Sequence, residues 1–227
     1  PQLPRQGRLQ TRRPAQARRL RLAMPALHMG VLLAGAWCAA ALALESRRAK
    51  AFSTRRLFAP AAGDPKAGAL YAFTKGMAPQ AKESVRLNPL SYLAGVLYHC
   101  GIFAAAALLA LELAGFAVPK FLAFPALLGA ACGLALLAKR ILKAHLRGLS
   151  CPDDFLSNLL ATAFAALGGA SVLNPALGQA FLISAIALLV HIPSGKIRHC
   201  VFFFSTRYHS GAFFGRRGVF PPGLDRH

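Results

Sequence analysis

Acid is scarce in this sequence. Seven Asp and Glu stand against 27 Lys and Arg in 227 residues, a formal net charge of +20. Charge of either sign is also scarce, because only 15% of the residues are charged while 56% are hydrophobic. Mean hydropathy is +0.46. A basic soluble domain that binds nucleic acid has the first property but not the second, so nucleic acid is not an expected partner. The apolar content excludes a disordered chain. The five cysteines are scattered and form no Cys-x-x-Cys pair, which removes the basis for a disulfide scaffold, an iron-sulfur centre or a covalently attached c-type haem. Cys38, Cys100, Cys132 and Cys200 read as small apolar residues in or beside helices, and Cys151 as a reduced thiol in a loop.

What the chain does have is long apolar runs. A helix that crosses a bilayer needs about 20 mostly apolar residues, since the hydrocarbon core is about 30 Å thick and each residue adds about 1.5 Å. Five stretches meet or approach that length, at 26–44, 90–118, 121–138, 155–173 and 176–192 or longer. The expected fold is therefore an all-α membrane protein with five transmembrane helices. Asn174 and Pro175 separate the last two runs and predict a tight turn between them.

Basic residues near helix ends are retained on the cytoplasmic side. Nineteen fall in the segment from Glu45 to Pro89, the loop from Lys139 to Asp154 and the tail from Pro193, whereas only Lys120 falls on the opposite side. That asymmetry predicts a cytoplasmic C terminus and, with five helices, an external N terminus. Residues 1–23 oppose it with seven Arg and no acid. The first Met is Met24, directly before the first apolar run, so 1–23 reads as an Arg-rich extension that need not be native, 24–205 as the membrane domain and 206–227 as a basic cytoplasmic tail. Between the first two spans, a short helix is expected around Ala67 to Thr74.

Ionisable residues inside a span are expensive and mark functional candidates. His99 lies about 15 Å into the second helix, followed by small residues at Gly101 and Ala104 to Ala107. The last helix offers His191 and His199 around Pro193-Ser194-Gly195. Eight residues turn a helix about 80° out of register, so only one of these is expected to face His99. Two neutral imidazoles from different helices can fill both axial positions of a b-type haem, and each can equally hydrogen-bond a backbone carbonyl.

Leu97-Tyr98-His99-Cys100-Gly101-Ile102 resembles the second-helix haem motif of the respiratory nitrate reductase gamma subunit, a five-helix membrane cytochrome b. Leu136 to Leu142, followed by Arg147 and Asp153-Asp154, looks like that family's connection between helices three and four. Pro193-Ser194-Gly195-Lys196-Ile197-Arg198-His199 resembles its approach to the final ligand. The resemblance covers about Leu70 to His199 and implies a gamma-like bundle in which His99 and His199 hold one haem b, with His191 as the alternative to His199. The family's second haem would need histidines where this chain has Leu109 and, in the last helix, a residue near Phe181. The Phe-rich tail with Arg216-Arg217 looks like the cytochromes of heterodisulfide-reductase-like and sulfite-reduction-associated complexes. The implied role is that of an electron-transfer subunit in a bacterial or archaeal inner membrane. It would carry electrons between menaquinone or ubiquinone and a cytoplasmic iron-sulfur protein.

Glu112, about 20 Å beyond His99 on the same helix, is a candidate proton acceptor for a quinol or an interfacial Glu that reaches water. Arg86, Arg140 and Arg147 are candidates for haem propionates, partner docking or lipid head groups. The competing class is a non-redox membrane anchor or a transporter-like bundle, for which an internal repeat is expected and none is found.

Overall fold

The computed structural model describes residues 12–51 and 59–222, and no strand occurs among them. Six longer helices carry the fold: α1 (Arg12–Ala51), α4 (Pro89–Leu113), α5 (Ala123–Leu142), α7 (Pro152–Leu173), α8 (Gly178–His191) and α9 (His199–Arg216). Three short ones lie between them: α2 (Pro65–Phe73), α3 (Glu83–Leu87) and α6 (Ala144–Gly148). Four stretches are long and apolar enough to cross a membrane: Met24–Ala51, Pro89–Leu113, Lys120–Leu142 and Pro152–Leu173. A fifth passes only as a broken pair, Pro175–His191 with Lys196–Arg216, bent by 76°.

Large side chains face outward and small ones inward. Leu90, Phe103 and Phe124 are 81%, 69% and 72% exposed, while Ala105, Ala126 and Ala165 are fully buried. Lipid is as apolar as Leu, so helices associate here through close backbone approach rather than by hiding Leu from water. Gly101 of α4 and Gly129 of α5 make one such contact. A Cβ on Gly101 would stand 2.5 Å from Gly129 Cα. Gly133 of α5 lies against Tyr98 and Thr162, and Gly168 of α7 against Phe181, whose ring stacks on Phe164 at 5.3 Å between centroids. Phe181, Leu182 and Leu108 close the core.

Several expected boundaries move. The helix expected over 90–118 ends at Leu113, because Gly115 takes a left-handed φ of +72° that a residue without Cβ adopts at no steric cost. The Phe116 amide then returns to the Leu111 carbonyl at 2.9 Å. The helix expected over 121–138 runs on to Leu142, carrying Lys139 and Arg140 at its C-terminal end, where the helix dipole favours cations. The helix expected from 155 begins at Pro152, and Asp154 Oδ2 accepts the Cys151 amide at 2.9 Å to close its first turn. The turn at Asn174-Pro175 is as expected, with Asn174 Oδ1 accepting the Ala176 amide at 3.1 Å. The last span opens with a 3-10 turn over Pro175–Leu177, and its α-helix starts at Gly178.

Of the Arg-rich extension, residues 1–11 lie outside the described residues, and the backbone from Arg12 runs into α1 without interruption. The short helix expected around Ala67 is α2, capped by Asp64 Oδ1 on the Lys66 amide at 2.8 Å. The segment assigned to a tail from 206 is part of α9 as far as Arg216, and 223–227 lie outside the described residues. That helix packs on α2 through Gly68, Gly211 and Gly215. A Cβ on Gly211 would stand 2.8 Å from Ala69 Cα.

Candidate functional site

Tyr98 fixes the orientation of the site. Its ring is buried in the bundle, where its hydroxyl donates to the Asn158 carbonyl at 2.9 Å and meets Thr162 Oγ1 at 2.9 Å. One residue further on a helix is a turn of about 100°, so His99 emerges on the exposed flank of α4. His199, the first residue of α9, is exposed on the other side of the gap. The two rings lie 6.4 Å apart between centroids, with their planes at 77°.

Both rings are held in the same way. His99 Nδ1 is 2.7 Å from the Gly95 carbonyl oxygen, and His199 Nδ1 is 2.7 Å from that of Lys196. A carbonyl only accepts, so each Nδ1 donates its proton and each neutral ring keeps the lone pair of Nε2. A histidine that binds a metal is typically oriented by such a bond from its other nitrogen. Two rings sharing one metal from opposite sides, with metal–nitrogen bonds of about 2 Å, have centroids about 6 Å apart. The separation and the tautomers are those of two histidines that would hold a metal-containing group between them. Among the described residues no group of three or more His, Cys, Asp and Glu is placed to hold a metal ion.

His191 is not part of this pair. Its Nε2 lies 3.0 Å from Ser157 Oγ and 3.1 Å from Asp153 Oδ1, at the start of α7. The separation of the two histidines comes from the break between α8 and α9. Pro193 supplies no amide, the Ser194 and Gly195 amides both return to the His191 carbonyl at 3.1 and 2.9 Å, and a single 3-10 turn, Lys196–Arg198, starts the new direction. A straight helix would carry His199 away along the axis of α8, and a bend at Pro193 is expected to shift it only slightly. The observed 76° brings it to His99 instead.

Glu112 lies at the opposite end of α4, with Oε1 3.6 Å from His28 Nε2 on α1. That nitrogen is buried and has no hydrogen-bond partner among the described residues. Glu112 also lines a cavity of about 340 Å³ together with Leu108, Lys120, Ser171 and Phe181. Sequence reasoning passed over His28. The available signal was an ionisable residue inside the first apolar run, four positions after Met24.

Each of the three arginines has a setting of its own. Arg140 donates to Ser150 Oγ at 2.8 Å and lies 3.6 Å from Asp154 Oδ1. Arg147 donates to the Ile141 carbonyl at 2.6 Å, tying α6 to the end of α5, and Arg86 is exposed on α3. Lys139 reaches Ser91 across α4 and α5, beside a second cavity of about 410 Å³ that His145 and Tyr92 help to line.

The chain matches no protein-family model, no curated protein and no solved structure. What the fold defines is a class: an all-helical protein with four helices long and apolar enough to span a membrane, or five when the bent pair is one span.

Proposed function

We propose that this chain is a haem b-binding membrane subunit that passes electrons between the quinone pool and a cytoplasmic iron-sulfur partner. The observation that carries the reading is the facing pair His99 and His199, 6.4 Å apart, each with Nδ1 committed to a backbone carbonyl. Each ring, with its Nδ1 turned to a carbonyl, leaves Nε2 as the atom that could bind a metal.

When bound, haem supplies one-electron chemistry, and two protein ligands leave no iron position open to a substrate. The chain's own contribution is to hold and orient the ligands. Gly95 and Lys196 fix the ring tautomers, and Tyr98, locked to α7, fixes the face of α4 on which His99 stands. At the far end, the cavity beside Glu112 and His28 offers a quinol an apolar wall and a carboxylate that can accept a proton. The positive charge gathered around the α7 end supports a C terminus on the cytoplasmic side, where an acidic partner would dock.

The test is a spectrum. Purified full-length protein is expected to give a reduced-minus-oxidised difference spectrum of the b type and a positive pyridine assay for haem. Both should be lost in His99→Ala and in His199→Ala, and both should be retained in His191→Ala. A colourless wild-type protein would refute the reading and leave a non-redox anchor or transporter-like bundle in its place.

A further inference from the structure

Lys196 is held at three points. Its amide donates to Asp153 Oδ2 at 2.6 Å, its ammonium lies 2.7 Å from Asp154 Oδ2, and its carbonyl oxygen is the acceptor for His199 Nδ1 at 2.7 Å. The two carboxylates belong to the first turn of α7, more than forty residues away in sequence. Each is anchored in its own right. Asp153 Oδ1 meets His191 Nε2 at 3.1 Å and accepts from Ser157 Oγ at 3.3 Å, while Asp154 accepts the Cys151 amide and faces Arg140 at 3.6 Å.

The break between α8 and α9 needs such a grip. Gly195 lies in extended backbone, which has many alternatives when nothing restrains it. A Cβ there would run into the His191 ring, which is itself pinned to α7. The position of the Lys196 carbonyl, and with it the His199 ring, is therefore decided by α7 and not by the helix that carries the ligand.

We propose that Asp153 and Asp154 are positioning residues for the ligand His199. By gripping the Lys196 amide and ammonium they hold the carbonyl that orients His199, and so set how strongly that imidazole donates to the iron. The proposal rests on the haem reading above. A hydrogen bond from Nδ1 to a fixed carbonyl makes the imidazole the more basic ligand, which favours ferric over ferrous iron and holds the midpoint potential low. Loosening the grip should raise it.

The experiment uses the full-length haem-bearing protein in detergent, with haem content, midpoint potential and thermal unfolding measured side by side. Lys196→Met, which releases only the ammonium contact, and Asp154→Asn, which weakens that contact and the Arg140 pair together, are expected to keep their haem and shift the potential upward. The ferrous-to-ferric ratio at a fixed ambient potential should change by up to about tenfold, or about 59 mV for one electron. Asp153→Ala, which releases the backbone hook, is expected to lose haem. Asp153→Asn keeps an acceptor oxygen at that place and should restore haem content. Failure of Asp153→Asn to restore haem in a protein that still unfolds cooperatively overturns the proposal. So does an unchanged potential in Lys196→Met and Asp154→Asn together with unchanged haem in Asp153→Ala. A wild-type protein without haem overturns the underlying reading as well, which distinguishes the two failures.

Discussion

Tyr98 and His99 are neighbours that face opposite ways, and the division of labour between them follows from the pitch of a helix. The Tyr98 hydroxyl is buried where only protein can satisfy it, and it finds the Asn158 carbonyl and Thr162. Removing a hydrogen-bonded hydroxyl from a buried site costs about 1 kcal/mol, and for a chain of this size that is roughly 2–4 °C of thermal midpoint. Tyr98→Phe is therefore expected to melt a few degrees lower in detergent while keeping the ring that fills the pocket at Gly133. A variant that melts at or above the wild type would mean that the hydroxyl does not lock α4 to α7. The residue types were legible in the sequence: an ionisable group in an apolar run is conspicuous, and His99 was found that way. The partner that makes Glu112 interesting was not, because His28 lies 84 positions earlier and no local pattern links the two.

At the scale of elements, the apolar runs give the helices and the glycines decide how they meet. Gly101 and Gly35 both sit within apolar helices, and sequence alone does not separate them. The structure does: a Cβ at Gly35 meets nothing within 4 Å, whereas at Gly101 it meets Gly129 Cα at 2.5 Å and the Pro125 carbonyl oxygen at 2.8 Å. Opposite outcomes are expected from the same substitution. Gly35→Ala gains up to about 1 kcal/mol of helix propensity. Gly101→Ala must push α4 from α5, an overpacking cost of about 1–3 kcal/mol. Thermal unfolding monitored by circular dichroism should rank Gly35→Ala at or above wild type and Gly101→Ala below it. Equal midpoints would show that α4 and α5 do not depend on the close approach of Gly101 to Gly129. The 76° break is the least legible element of all. Pro193 and Gly195 announce an interruption, but no local pattern gives its size or direction, and the contact made there, Asp153 accepting the Lys196 amide, spans 43 positions.

The charge of the whole molecule becomes spatial once the chain is folded. Lys120, Val118, Pro175 and Gly178 line one cavity, so the α4–α5 connection and the α7–α8 turn share one end of the bundle. Arg140, Ser150, Asp154 and Lys196 are joined by contacts at the other end, where α5 stops and α7 starts. Basic residues crowd the second end; Lys120 stands at the first, and so does the Arg-rich start of α1, because Met24 lines the same cavity as Lys120. If the net charge of +20 serves as a topology signal, the crowded end must face the cytoplasm. This can be read with single thiols, in a chain whose other cysteines are replaced by serine or alanine. On intact cells, a membrane-impermeant maleimide is expected to label Lys120→Cys at once and to reach Cys151, which is exposed, only after permeabilisation. Label at Cys151 in intact cells would invert the protein. The histidine pair would then lie toward the outside and the Glu112 cavity toward the cytoplasm, and the proposed cytoplasmic electron partner would have no route to the histidines.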